Sequence, residues 1–137
     1  MVLKRIKLIL FLSFISVTFS LKPEEIGISC QQKYKLSGED IVEMRENRMI
    51  LKDETNVNQR CFIECLMVES NMFVNGELNQ EEVKKGEKEL KEFYKSHGKE
   101  LNLEKFDTSI QECSSKDDEG QCMKSYQMWK CLVSAMV

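Results

Sequence analysis

The sequence predicts an all-α fold of about six helices, and three observations support this. Apolar residues repeat at intervals of three and four, whereas no segment alternates apolar and polar residues as a half-buried strand does. Proline occurs once, at Pro23, where it can open a helix. Six cysteines, an even number, predict three disulfides in a small exported domain.

Residues 1–20 have the layout of a secretory signal peptide. MVLKRIK carries three positive charges, the apolar stretch LILFLSFISVTF follows, and Thr18 and Ser20 are small residues suited to a cleavage site. A membrane anchor is the alternative, but the apolar run is short for crossing a bilayer. We therefore expect one folded domain over residues 21–137, secreted and extracellular.

The charge of the domain argues against two classes of partner. Three of the 20 Lys and Arg residues lie in the predicted signal peptide. The remaining domain has 17 basic and 23 acidic side chains, a net charge of −6. An acidic domain lacks the basic face that nucleic acid requires, and it has no attraction to anionic membranes. We expect no nucleic-acid binding and no stable membrane association. A homodimer remains open.

Periodicity and caps place the first three helices. The first begins at Pro23 and carries Ile26, Cys30 and Tyr34 on one face, and the second begins at a capping box in residues 37–40. The third begins near Asn56 or Asn58 and contains CFIECLMV, which is apolar on nearly all sides and therefore central and buried.

Three more helices follow a turn at residues 74–79. Asn79 can cap a single fourth helix that Gly98 ends. Apolar residues spaced three, four and three apart mark a fifth helix over residues 103–113. A sixth is expected from about Glu119 towards the C-terminus, with an acidic N-cap.

The cysteine spacing restricts the disulfides without fixing them. Cys61 and Cys65 are four apart on a helix, where Cβ atoms lie about 5–6 Å from each other, too far for a bridge. Cys122 and Cys131, nine apart, should leave the last helix on opposite sides. The two cysteines of each pair are therefore expected to bond to different partners. Six cysteines can be joined in 15 ways, and the spacing alone does not choose among them. A zinc or redox site is disfavoured, since a second close pair and a C-x-x-C motif are absent.

The complete cysteine pattern resembles that of the insect odorant-binding proteins, the pheromone and general odorant-binding family. The intervals between successive cysteines are 30, 3, 47, 8 and 8 residues, and C-x₃-C followed by a final C-x₈-C is the specific element. The resemblance covers Cys30 to Cys131. It implies the bridges Cys30–Cys65, Cys61–Cys122 and Cys113–Cys131, a helical fold around an internal apolar cavity, and a carrier of small hydrophobic ligands without a cofactor or metal.

Position relative to the cysteines suggests which residues line such a cavity. Ile63 and Met67 lie on a face of the third helix turned away from Cys61 and Cys65, and methionines adapt to irregular ligands. Phe62, Leu66 and Trp129 are assigned to packing instead. The predicted lining is Met49, Ile50, Ile63, Met67, Met72, Phe73, Phe93, Phe106, Ile110, Met128 and Leu132.

Other polar residues carry weaker functional interpretations. Tyr94 or Tyr126 could orient a ligand, although bonding to backbone or solvent is the more ordinary role of such hydroxyls. His97, the single histidine, is expected at a helix end on the surface. An enzyme is disfavoured because a lone histidine at a helix end offers no catalytic pair. A secreted signalling or structural protein with a solid core is the alternative function.

Overall fold

The computed structural model describes residues 22–96, 98, 100 and 102–135, except for the side chains of Pro23, Leu90, Phe93 and Tyr94. The predicted signal peptide at residues 1–20 and the predicted position of His97 lie outside this part of the chain. The domain is all-helical apart from one short hairpin. Its elements, in order, are α1 (Pro23–Lys33), α2 (Gly38–Glu46), α3 (Val57–Glu69), β1 (Phe73–Val74), β2 (Glu77–Leu78), α4 (Gln80–Lys85), α5 (Glu87–Ser96), α6 (Leu103–Ser114) and α7 (Met123–Ala135).

Side-chain caps explain where most helices begin. Ser37 and Asp40 form the predicted capping box of α2, with each side chain accepting a hydrogen bond from the other residue's backbone N–H. The Asn79 side chain accepts from the backbone of the third residue of the next helix, as predicted, and Asn56, one of the two predicted starts of α3, does the same. The third such cap is Asn102, at the start of α6.

The predicted fourth helix is interrupted. Gly86 separates α4 from α5, and glycine is about 1 kcal/mol less favourable than alanine inside a helix. The prediction of one continuous helix from Asn79 was therefore wrong. The six predicted helical segments are otherwise all present, with the fourth in two parts.

The predicted turn at residues 74–79 is the tip of a two-stranded hairpin. Asn75 and Gly76 both have positive φ, 54° and 77°, as a two-residue hairpin turn requires. Phe73 pairs with Leu78 across the strands, and both side chains are buried. The sequence prediction missed the strands because each is only two residues long.

The last helix begins later than predicted. It starts at Met123 rather than near Glu119, because Gly120 and Cys122 have φ of 118° and 61°, which an α-helix does not allow. Cys122 thus precedes the helix, and the premise that Cys122 and Cys131 leave one helix on opposite sides was wrong. They nevertheless reach different neighbours.

Three disulfides connect the helices around α3. Cys30–Cys65 joins α1 to α3, Cys61–Cys122 joins α3 to the segment before α7, and Cys113–Cys131 joins α6 to α7. These are the pairs that the resemblance implied. All six cysteines of the chain are paired. As predicted, α3 is central, with Phe62, Ile63 and Met67 each only 2% exposed.

Polar contacts add to the attachment of α3. The Arg60 guanidinium donates to the carbonyl oxygens of Glu54 and Gln121, at 2.7 Å and 2.9 Å. The Ser125 hydroxyl on α7 donates to the Glu64 carboxylate on α3 at 2.6 Å. Within the described ranges, no helix is long and apolar enough to span a membrane, and no cluster of three or more potential metal ligands occurs.

We predict that replacing Cys61 and Cys122 together by alanine lowers the free energy of unfolding by about 2–4 kcal/mol, since the bridge restricts the unfolded chain over 61 residues. Lys85→Ala is the control, because Lys85 is exposed and its ion pair with Glu82 lies on the surface. Urea denaturation measures both. Equal midpoints for the two variants would contradict the stabilising role given to this bridge.

Candidate functional site

A cavity of about 260 Å³ lies against one face of α3. The face is formed by residues three and four apart on the helix, Ile63, Leu66, Met67 and Ser70. The opposite wall comes from the loop before α3, the segment after it, and α7. Among the residues that the structure describes, the lining is Met49, Ile63, Leu66, Met67, Ser70, Met72 and Trp129, and its surface is almost entirely apolar.

Two of the lining methionines owe their positions to the way in which helices end. At the end of α2, Arg48 has φ of 56°, and the N–H of Met49 donates to the carbonyl oxygen of Met44 at 2.6 Å. At the end of α3, Asn71 has φ of 61°, and the N–H of Met72 donates to Met67 at 2.8 Å.

Both ends are Schellman motifs, in which the residue after the left-handed position packs back onto the helix. The motif therefore brings Met49 and Met72 to the cavity from two directions.

A partly buried hydrogen-bond network attaches the loop that carries Met49 to α7. The Tyr126 hydroxyl accepts a hydrogen bond from the Leu51 N–H at 3.0 Å and donates one to the Glu54 carboxylate at 3.3 Å. Lys130 Nζ forms an ion pair with the same carboxylate. Tyr126 is 0% exposed, so its hydroxyl is the buried centre of this network.

The network changes two pKa values in the same direction. Burial raises the pKa of the Tyr126 hydroxyl above its ordinary value of 10.0, although the hydrogen bond from Leu51 opposes this. The hydrogen bond to Glu54 raises the pKa of Lys130 above 10.5. At neutral pH the network therefore consists of a neutral phenol and a charged ammonium group.

A second space, a groove of about 330 Å³, lies beside the cavity between α1, α2 and α3. Met49 and Leu66 line both spaces and so lie between them. Unlike the cavity, the groove has charged residues along it, Glu24 from α1 and Arg45 from α2.

The predicted lining residues fall into four groups. Met49, Ile63, Met67 and Met72 surround the cavity. Phe93 belongs to α5 and its side chain lies outside the description, as does that of Tyr94. Ile50 is half-buried beside Met49. The remaining five are buried in the hydrophobic core: Phe73, Phe106, Ile110, Met128 and Leu132.

Leu66, Ser70 and Trp129 line the cavity without having been selected from the sequence. Leu66 and Ser70 continue the helical face of Ile63 and Met67 at intervals of three and four, so the periodicity of α3 could have identified them. Trp129 had no such signal and was assigned to packing. Tyr126, a candidate for orienting a ligand, uses its hydroxyl for Leu51 and Glu54 instead.

The structure is that of a helical domain with three disulfides and an apolar cavity. The model of the PBP/GOBP family, the pheromone-binding and general odorant-binding proteins, matches residues 14–135. The chain belongs to this family, which consists of binding and carrier proteins rather than enzymes. Comparisons with curated proteins and with solved structures found no match.

We predict that Tyr126→Phe lowers the free energy of unfolding by about 1–3 kcal/mol, because it leaves the buried Leu51 N–H without its acceptor. Tyr34→Phe is the matched control, since the Tyr34 hydroxyl makes no hydrogen bond within the described part of the chain. The control should change stability by less than about 0.5 kcal/mol. If urea denaturation gives similar losses of unfolding free energy for both variants, the Tyr126 hydroxyl does not have the stabilising role assigned to it.

The same network predicts a loss of stability in alkali. Because the pKa values of Tyr126 and Lys130 are higher in the folded than in the unfolded state, their contribution is present below pH 10 and is lost as the pH rises through the folded-state values. Urea denaturation between pH 8 and pH 11 should show the decline in the wild type. The free energy of unfolding of Tyr126→Phe should decline less steeply with pH. Parallel declines for the variant and the wild type would contradict the raised pKa assigned to Tyr126.

Proposed function

We propose that this protein carries small, uncharged hydrophobic molecules, which bind in the cavity against α3. The observation that carries the proposal is the lining itself, an almost wholly apolar surface with three methionines among its seven residues. Methionine side chains are flexible and polarisable, so they adapt to ligands of irregular shape. None of the described lining residues is charged, so none of them compensates an ionised ligand for its loss of hydration.

The size of the cavity favours a small ligand. Its volume of about 260 Å³ lies just below the usual range for sites that hold drug-sized molecules, about 300–1,000 Å³. A water molecule occupies about 30 Å³ in the liquid, so the space suits about nine groups of that size. Such a ligand gains about 25 cal/mol for each Å² of apolar surface removed from water.

We propose the groove as one route by which ligand reaches the cavity, beside the direct opening between its partly exposed lining residues. Met49 and Leu66 border both spaces, so movement of these two side chains would connect them. Met49 lies in the loop attached to α7 through Leu51 and Glu54, whereas Leu66 belongs to the rigid α3. We therefore assign the opening motion to Met49 rather than to Leu66.

The carrier would work in an extracellular fluid. Three disulfides persist in an oxidising environment and are rare in the cytosol. The family is secreted, and the residues before the domain have the layout of a signal peptide. Membership of the family supports an odorant, a pheromone or a related chemical signal as the ligand.

A secreted signalling or structural protein with a solid core is the competing function. Titration with N-phenyl-1-naphthylamine, a dye that fluoresces in apolar surroundings, distinguishes the carrier from the solid-core protein. A carrier gives saturable fluorescence that small hydrophobic competitors displace. A solid core gives neither saturation nor displacement.

We predict that Met67→Trp weakens dye binding at least tenfold, because the larger ring occupies the cavity, while far-UV circular dichroism remains that of a helical protein. Val68→Trp is the matched control. It adds the same ring at the next position of α3, where the native side chain is 44% exposed. Equal dye affinity in the two variants would remove Met67 from the binding site.

A further inference from the structure

Among the residues that the structure describes, two side chains of the cavity lining can form hydrogen bonds, Ser70 and Trp129. The Ser70 hydroxyl donates to the Leu66 carbonyl oxygen at 2.5 Å, inside its own helix. Its proton is therefore already used. The indole Nε1–H of Trp129 is buried, and it has no acceptor among the residues that the structure describes.

A buried indole N–H without an acceptor is unusual. Tryptophan N–H groups normally find a partner when they are buried, and an unpaired donor costs free energy because it has lost its hydrogen bond to water. Trp129 is also the single tryptophan of the chain, and its ring forms part of the cavity wall. The unpaired donor therefore belongs to a residue that a bound ligand would touch.

Protein atoms cover Nε1 in this structure, so an acceptor reaches it only if neighbouring side chains move. The other walls of the cavity include Met49, Met67 and Met72. Unbranched methionine side chains change conformation more easily than branched ones. A ligand that enters the cavity and displaces the atoms covering Nε1 can offer its own acceptor.

We propose that the Trp129 N–H selects ligands that carry a carbonyl oxygen, namely uncharged ketones, aldehydes or esters. This inference rests on the proposed carrier function and specifies its ligand. A carbonyl group brings an acceptor without a proton and so matches a site with one free donor. An alcohol would need an acceptor for its own proton as well, and a carboxylate would lose its hydration without a positive partner in the lining.

The wild-type protein allows a direct test, because a single tryptophan gives a single indole N–H signal in a ¹H–¹⁵N correlation spectrum. The probes are 2-octanone and 2-methyl-1-octene, which have the same shape and differ in C=O against C=CH₂. Both should displace N-phenyl-1-naphthylamine. The indole proton should shift downfield with the ketone and should not do so with the alkene.

Trp129→Phe provides the second measurement, since it keeps an aromatic ring and removes the N–H. It should weaken 2-octanone binding about fivefold more than it weakens alkene binding, which corresponds to about 1 kcal/mol. Comparing the two ligands on one variant cancels any general effect of the smaller ring on the cavity.

The outcomes separate this inference from the carrier function. If both probes bind, yet the indole proton responds equally to each and Trp129→Phe weakens both alike, Trp129 does not select carbonyl groups and the carrier function stands. If neither probe displaces the dye and the dye itself does not saturate, the carrier function and this inference both fail.

Discussion

Helix α3 is held by two disulfides that leave it one turn apart and go to different parts of the chain. Cys65 bonds to α1 and Cys61 to the segment before α7, so the two covalent links fix both the position and the rotation of α3. The face that carries Ile63 and Met67 points elsewhere, and it borders the cavity. The rotation set by the cysteines therefore decides which side chains a ligand can meet.

The loop between α2 and α3 completes the wall through polar rather than covalent contacts. Its backbone N–H at Leu51 and its carboxylate at Glu54 both bond to the buried Tyr126 hydroxyl, and Arg60 holds the Glu54 carbonyl oxygen. Buried hydrogen bonds of this kind are costly to break singly. Because non-covalent contacts hold this wall whereas disulfides hold α3, the two walls differ in how readily they can move.

Features encoded by neighbouring residues were predictable, and features set by distant contacts were not. The capping box at Ser37 and the asparagine cap at Asn79 depend on residues three positions apart, and the sequence identified both. The start of α7 depends on Cys122, whose positive φ accompanies its bond to Cys61, 61 residues away. No local pattern contains that constraint.

The cavity residues also divide into those that a local pattern predicts and those that distant contacts determine. The spacing of Ile63 and Met67 on one helix face led to two residues of the lining, and extending it would have reached Leu66 and Ser70. Met49 and Met72 were selected by position alone, because the left-handed residues before them are Arg48 and Asn71, whereas glycine is the usual helix-ending signal. Trp129 depends on how α7 packs against α3, which no pattern within α7 reveals.

The disulfides also bear on how the domain keeps an apolar space beside α3. An enclosed cavity lowers stability by about 24 cal/mol for each Å³. The space beside α3 costs less than an enclosed cavity of its size, because five of its lining residues, Met49, Leu66, Ser70, Met72 and Trp129, are partly exposed. Three bridges at about 2–4 kcal/mol each are sufficient to offset that cost. In the proposed carrier, a ligand that fills the space would restore the contacts missing there, so binding and stability would be coupled through this part of the fold.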